Sequence, residues 1–179
     1  DKRPELTNAQ RKMLSHYDNA TLYNDSIVAQ IVKRFQKQDA IVIYVPDHGE
    51  ECYEENRGFI CRNHSAEIDW PLAHYEFEIP FWIYCSPKYI RNHRDIYRQI
   101  RKAKDKRFMT DALPHLLLYL AGIETPTYKE EYNILSPKYD EMRPRILKNS
   151  ADYDKLRDAH LEKIKKEESK KVKKKERRN

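Results

Sequence analysis

Asp47 and His48 are the neighbouring side chains in this sequence that are best suited to binding a metal ion. They open the tetrad Asp-His-Gly-Glu at 47–50, which follows the apolar run 40–45. A carboxylate and an imidazole are both ligands that zinc accepts in proteins. Adjacent residues of a regular strand point to opposite faces, so the chain must turn after the strand for both to reach one ion, and Gly49 would allow that turn. The alternative is an exposed aspartate and histidine in a tight turn.

The run 40–45 is short, continuous and rich in β-branched residues. This pattern favours a strand that is buried on both faces, and hence a parallel or mixed sheet flanked by helices. A second apolar run predicts another strand at 81–85. A sheet of two strands is not stable without partners, so we expect its neighbours to be strands from a preceding part of a larger protein.

Apolar periodicity predicts three helices. The first runs from Asp18 or Asn19 to Gln38 and should pack beside the first strand through Leu22, Ile27, Val28, Ile31, Val32 and Phe35. The second covers 88–106 and should present a basic, solvated surface. The third covers 110–120 and ends at Gly122, a typical C-cap. His115 on this helix is expected to be a packed or half-exposed residue, and 126–145 an irregular stretch.

Five segments occur in an order that resembles the C-terminal part of a catalytic domain of the alkaline phosphatase superfamily. They are Tyr-Asp-Asn at 17–19, the tetrad at 47–50, a loop that closes on His64, a strand opened by Ile-Pro at 79–80, and a helix that ends in Ala-Gly-Ile at 121–123. Within this superfamily the sequence looks most like the lipid A and core phosphoethanolamine transferases, which are relatives of the sulfatases. The resemblance implies an α/β, partial sulfatase-like fold with a sheet flanked by helices.

The resemblance also implies a set of metal ligands. Asp47 and His48 match zinc ligands of the family, and His64 matches a histidine that faces the metal or the phosphate. One or two divalent ions, zinc above all, are therefore the expected cofactor. Ser65 follows His64 where the family usually has glycine, so this part of the match is looser. Glu50 is a candidate for orienting His48 from outside the metal shell.

Enzymes of this superfamily use a threonine, serine or modified cysteine as the nucleophile, upstream of the Tyr-Asp-Asn helix. Thr7, Ser15 and Thr21 do not follow a strand with an acidic ligand, so no nucleophile is assigned in this chain. Tyr17, Asp18 and Asn19 are expected to shape the start of their helix. The low glycine content, three residues in 179, also fits part of a larger α/β enzyme.

The implied function is that of the C-terminal portion of a metal-dependent phosphoethanolamine transferase. Such an enzyme moves a phosphoryl group from a phospholipid donor to a lipid or glycan acceptor through a covalent enzyme intermediate. A sulfatase, phosphatase or phosphodiesterase of the same superfamily is the alternative. By resemblance, the full-length protein would be membrane-associated and face the periplasm, and the upstream part of the same protein would complete the site.

We expect residues 1–150 to belong to the catalytic domain and 151–179 to form a basic helical or disordered tail. This tail supplies most of the net charge of +6. The alternative from a different functional class is a basic module that binds nucleic acid or another anionic surface, with Asp47 and His48 incidental, although the lysine-rich segment has no interleaved aromatic residues and no recognition motif. An anionic membrane surface suits it equally well, because a lysine-rich segment is attracted to anionic lipids.

Three cysteines leave the redox question open. Cys52 and Cys61 flank the loop after the tetrad and could form a disulfide in an oxidising compartment. Cys85, at the end of the second predicted strand, should be a small core residue. Their spacing does not match a zinc or redox motif.

Overall fold

The computed structural model describes residues 3–61 and 67–176. The chain divides into two compact units. The first comprises Asp1–Pro46 and Pro80–Met142, and the second comprises Asp47–Ile79 and Arg143–Asn179. None of the described helices is long and apolar enough to cross a bilayer.

The first unit begins with helix α1, Asn8–Phe35. Thr7 caps the helix, because its side chain accepts a hydrogen bond from the backbone N–H of Gln10 while the Gln10 side chain accepts one from the backbone N–H of Thr7. This reciprocal capping box fixes the helix start about ten residues before the predicted one. The predicted start at Asp18 or Asn19 is therefore wrong, and Tyr17 lies inside the helix with them.

The burial predicted for α1 is only partly confirmed. Val28 and Val32 are half-buried, and α1 contacts the strand that follows it. Four of the other residues predicted to pack are exposed: Leu22 at 68%, Ile27 at 37%, Ile31 at 42% and Phe35 at 37%. Helical periodicity predicts which residues share a face, but it does not say whether a packing partner is present.

Both predicted strands of the first unit are confirmed, as β1, Ile41–Tyr44, and β4, Trp82–Cys85. They pair antiparallel, with Ile41 opposite Cys85 and Tyr44 opposite Trp82. The rings of Tyr44 and Trp82 stack with centroids 5.2 Å apart. A parallel or mixed sheet was expected, whereas every strand pair among the described residues is antiparallel.

The predicted basic helix is interrupted. It forms α3, Pro87–Asn92, and α4, Arg94–Ala103, which meet at His93. A 3-10 turn at Thr110–Ala112 leads into α5, Leu113–Ala121, and Gly122 ends this helix with a φ of +65°, as predicted. Another 3-10 turn at Glu130–Tyr132 lies in the irregular stretch that follows. The core of the unit contains Ala103, Leu116, Ile134 and Leu135.

The described residues of the second unit form two hairpins and two α-helices, with a 3-10 turn at Glu54–Asn56 inside the first hairpin. In chain order these are β2, Glu51–Cys52, β3, Phe59–Cys61, α2, Trp70–Phe77, β5, Ile146–Leu147, β6, Ala151–Asp152, and α6, Tyr153–Glu176. Its core contains Ala73, Leu147 and Tyr153. Helix α2 was not predicted from the sequence, although the N-cap Asp69 followed by a proline in the first turn is a signal for it. The division of the chain at residue 150 stays a prediction.

Candidate metal site

The tetrad lies just beyond β1, where the chain bends at Asp47. This bend brings two neighbouring side chains to the same place, as the sequence required for a shared ion. The Nε2 atom of His48 lies 3.4 Å from the Oδ2 atom of Asp47. The Asp47 side chain is 82% exposed and that of His48 25% exposed, so the aspartate is open to solvent while the histidine is held against the protein.

His48 is oriented by the backbone. Its Nδ1 atom lies 2.7 Å from the carbonyl oxygen of Gly49, a distance at which Nδ1–H donates to that oxygen. A proton on Nδ1 leaves the lone pair on Nε2, the atom that faces Asp47. The carbonyl of Gly49, and not the side chain of Glu50, therefore orients the ring in this structure.

The separation between the two candidate ligands suits zinc. Ligands about 2.0 to 2.1 Å from a tetrahedral zinc ion lie about 3.3 Å from each other. The observed 3.4 Å between Nε2 and Oδ2 matches that separation. No group of three or more histidine, cysteine, aspartate or glutamate residues suited to a metal occurs within residues 3–61 and 67–176. Among the described residues, the candidate metal site therefore consists of Asp47 and His48.

Gly49 is required for a reason that the sequence did not reveal. Its N–H donates to the carbonyl oxygen of Glu76 at 2.8 Å, which ties the tetrad to the end of α2. A Cβ atom at this position would lie 2.2 Å from the carbonyl oxygen of Tyr75. The close approach of the Tyr75 backbone therefore explains why glycine occurs here, whereas the sequence alone predicted that Gly49 allows a turn.

An ionic cluster with one buried member, Glu51, follows the tetrad directly. Glu51 is fully buried, and its Oε1 atom lies 2.6 Å from the Nε atom of Arg57. Arg57 also pairs with Asp69, whose other oxygen accepts from the N–H of Leu72 at 3.0 Å to cap α2. Burial raises the pKa of Glu51, although the charge of Arg57 opposes the shift. The cluster fixes the β2–β3 hairpin against the start of α2.

Two predictions concern residues that the structure does not describe. His64 lies within 62–66, outside the described residues, so its assignment as a metal ligand stays a prediction. The β2–β3 hairpin places Cys61 opposite Glu51 and Phe59 opposite Cys52. The side chain of Cys61 is also outside the described residues, and its disulfide with Cys52 stays a prediction. Cys85 is buried, as expected.

Other candidate residues have structural positions. Tyr17, Asp18 and Asn19 lie in the interior of α1, so their predicted role at the start of a helix is wrong. His115 is half-buried, accepts a hydrogen bond from the N–H of Lys129 at 3.1 Å, and contacts the ring of Tyr132. This confirms His115 as a packed residue.

The sequence profile of the sulfatase family matches residues 1–123, more than half of the chain. The chain is 30% identical over 141 residues to phosphoethanolamine transferase EptC of Escherichia coli O18:K1:H7, which covers 77% of this chain and 23% of that protein. It is 31% identical over 99 residues to the Kdo(2)-lipid A phosphoethanolamine 7''-transferase of Escherichia coli K12, which covers 54% of this chain and 16% of that protein.

Solved structures agree with these relatives. The C-terminal periplasmic domain of Escherichia coli EptC in complex with zinc superposes with a TM-score of 0.69 at 27% identity, covering 87% of this chain and 43% of that domain. A second structure of the same domain gives a TM-score of 0.68 at 28% identity, covering 86% of this chain and 43% of that domain. This chain thus spans less than half of that domain and between 16% and 23% of the two full-length relatives named above. It has the alkaline-phosphatase-like fold and belongs to the sulfatase family, with phosphoethanolamine transferases among its relatives.

Proposed function

We propose that this chain is part of a zinc-dependent phosphoethanolamine transferase in which Asp47 and His48 bind zinc. The observation that carries the proposal is the 3.4 Å separation between Nε2 of His48 and Oδ2 of Asp47. The Nδ1 contact with the Gly49 carbonyl supports it, because it leaves Nε2 available as a ligand. His64 is the third residue that we assign to this shell, from its position in the sequence.

In this proposal the residues of the chain have distinct tasks. Asp47 supplies negative charge that partly neutralises the metal, while His48 is held in one tautomer and one orientation. The tie between Gly49 and α2 limits the movement of both ligands. Bound zinc would supply a Lewis acid that lowers the pKa of a hydroxyl nucleophile and stabilises charge on the transferred phosphoryl group.

The nucleophile is assigned to a part of the protein outside this chain, where a covalent phospho-enzyme would form and pass its group to the acceptor. The donor would be a phospholipid and the acceptor a lipid or a glycan. Homology carries this choice, since the relatives named above are phosphoethanolamine transferases. We place the full-length protein at the membrane, facing the periplasm, as the periplasmic domains among its relatives suggest.

The test is made in the full-length protein that carries this chain, produced in a host that lacks its own phosphoethanolamine transferases. Lipid A and core oligosaccharide are examined by mass spectrometry for the mass of one added phosphoethanolamine group. We expect the modification with the wild-type protein and its loss in Asp47→Ala and His48→Ala. A matched control, His16→Ala with Asp25→Ala, removes the same residue types from exposed positions of α1 and should keep activity.

Full modification by Asp47→Ala or His48→Ala would overturn the assignment of these ligands. Zinc-dependent hydrolysis of a sulfate or phosphate ester, with no modified acceptor, would replace the transferase by the hydrolase alternative. Transfer and hydrolysis would both use the metal site at Asp47 and His48, so the acceptor decides between them.

A further inference from the structure

A surface hollow of about 440 Å³ lies where α3 meets α4 in the first unit. We call it the arginine hollow, and it is lined by Ile90, Arg91, Arg94, Tyr97 and Arg98. The three arginines are exposed, while Tyr97 and Ile90 are half-buried. The hollow therefore combines three positive charges with an aromatic and an aliphatic wall.

The backbone under the hollow is anchored. The Nδ2 atom of Asn92 donates to Oδ2 of Asp39 at 2.7 Å, and Nε2 of His93 lies 3.3 Å from the other oxygen of the same carboxylate. The ring of His93 stacks on buried Tyr89 with centroids 4.3 Å apart. These contacts fix the break between the two helices and hence the relative positions of Arg91, which ends α3, and Arg94, which begins α4.

The positive charge of this surface is only partly neutralised by neighbouring carboxylates. Between Lys88 and Lys106 the chain has eight lysines and arginines but two aspartates. Asp95 pairs with Arg98 and Asp105 with Lys104. Among the described residues, no carboxylate forms an ion pair with Arg91 or Arg94.

We propose that the arginine hollow binds the phosphate groups of anionic lipids and thereby holds the first unit against a membrane surface. A guanidinium group presents a planar fork of donors that matches two phosphate oxygens. Tyr97 and Ile90 offer the amphipathic and apolar surface that suits the boundary between headgroups and acyl chains. Exposed basic residues continue along α4 as Arg101 and Lys102, which favours an extended anionic surface over a single small anion.

The α6 lysines provide a matched comparison. A second hollow, of about 290 Å³, is lined by Lys165, Lys166, Ser169 and Lys170. Lys165 and Lys166 are both exposed. Lys166 pairs with Glu162 at 3.7 Å, and two further glutamates follow at 167 and 168. Among the side chains that the structure describes, no aromatic or aliphatic one lines this second hollow. It tests whether positive charge alone is sufficient.

The experiment measures binding of the whole chain to vesicles of phosphatidylglycerol and phosphatidylcholine, and to vesicles of phosphatidylcholine alone. Wild-type chain is compared with Arg91→Gln/Arg94→Gln and with the control Lys165→Gln/Lys166→Gln. At low salt we expect binding to the anionic vesicles alone, a loss of about 30-fold for the arginine double variant, and less than threefold for the lysine control. Binding should weaken as salt is raised.

Equal losses in the two double variants would overturn the proposal, because diffuse charge would then explain binding. Unchanged binding of the arginine variant, or no binding by wild type, would also overturn it. Tighter, arginine-dependent binding to duplex DNA, or saturation by inorganic phosphate without vesicle binding, would assign the hollow to another ligand. Vesicle binding does not depend on the proposed metal site, so we expect Asp47→Ala to bind vesicles as wild type does.

Discussion

Helices α1 and α6 are the two longest in the described part of the chain, and they expose opposite kinds of side chain. α1 exposes large apolar residues, among them Leu22 at 68% and Tyr23 at 70%. The outer half of α6 exposes lysines such as Lys165 and Lys170. Water solvates charged groups well, whereas exposed apolar groups gain free energy when another surface covers them. α1 therefore presents apolar side chains to the solvent, whereas α6 presents charged side chains between residues 165 and 171.

The two helices are also anchored by different contacts near their N-terminal ends. α6 begins at buried Tyr153, whose hydroxyl donates to Glu78 and whose ring lies 4.2 Å from the guanidinium of Arg145. Trp70 of α2 stacks on His160 of α6 with centroids 5.2 Å apart. In α1 the one buried residue is Leu14. Each helix should thus depend on residues near its N-terminal end.

Replacing Tyr153 should have the largest effect on stability. We expect Tyr153→Ala to lower the free energy of unfolding by about 3 to 4 kcal/mol, because it removes a buried ring and the contacts that anchor α6. Urea denaturation followed by circular dichroism measures this change. The control Leu161→Ala, at a position of α6 that is 45% exposed, should cost less than about 1 kcal/mol. Similar losses in both would show that α6 is not anchored at its start.

The same contrast should hold inside α1. Leu14→Ala should cost about 2 to 3 kcal/mol, because Leu14 is 8% exposed, and Leu22→Ala should change stability by less than about 0.5 kcal/mol. Denaturation with urea measures both variants. A loss at Leu22 as large as that at Leu14 would mean that the Leu22 side chain is already covered in the isolated chain.

Tyr153 should also make stability depend on alkaline pH. Burial, followed by the hydrogen bond to Glu78, raises the pKa of Tyr153 to about 12. The folded chain then keeps a proton that the unfolded chain loses near the ordinary tyrosine value of about 10. This contribution is complete below pH 10 and is lost as the pH rises towards 12. Melting temperatures across that range should fall more steeply for wild type than for Tyr153→Phe, and parallel curves would contradict the assignment.

Glu78 should produce a smaller effect of opposite sign in acid. Burial acts to raise its pKa, but hydrogen bonds from Tyr153 and His74 and the charge of Arg145 outweigh it and lower the pKa. Its contribution is present above the ordinary value of 4.5 and is lost as the pH falls through the lowered pKa. Acid titration of wild type against Glu78→Gln, followed by circular dichroism, checks this. The variant should lose less stability below pH 4.5.

Exposed apolar positions of α1 should tolerate charge with the smallest change in the free energy of unfolding. The double variant Leu22→Lys/Ile31→Lys should have a free energy of unfolding within about 0.5 kcal/mol of the wild-type value, because both side chains are exposed. Binding of a hydrophobic dye should fall, since the apolar surface is interrupted. Unchanged dye binding would show that the exposed apolar surface lies elsewhere.

Local patterns predicted several elements well. The strands at β1 and β4 follow from runs of β-branched and aromatic residues, and the end of α5 follows from Gly122. The tetrad after β1 was found in the same way, since its residue types carry the chemistry. The sequence also contains the capping box at Thr7, but no apolar run beside it indicated that a helix starts there.

Other features depend on contacts between distant residues. The break at His93 is fixed by contacts with Asp39, whereas the sequence pattern predicted one unbroken helix over 88–106. The need for Gly49 comes from the carbonyl of Tyr75, which no local pattern reveals. Burial along α1 depends on partners that periodicity does not specify.

The central claim is that Asp47 and His48 bind zinc together. The most direct test is a zinc titration of the chain, followed by the ¹⁵N resonances of the histidine rings. We predict a saturable shift of the His48 Nε2 resonance, together with His64, and no shift of His74 or His160. Asp47→Ala should abolish it. An unmoved His48 resonance, or the same shift in Asp47→Ala, would contradict the claim.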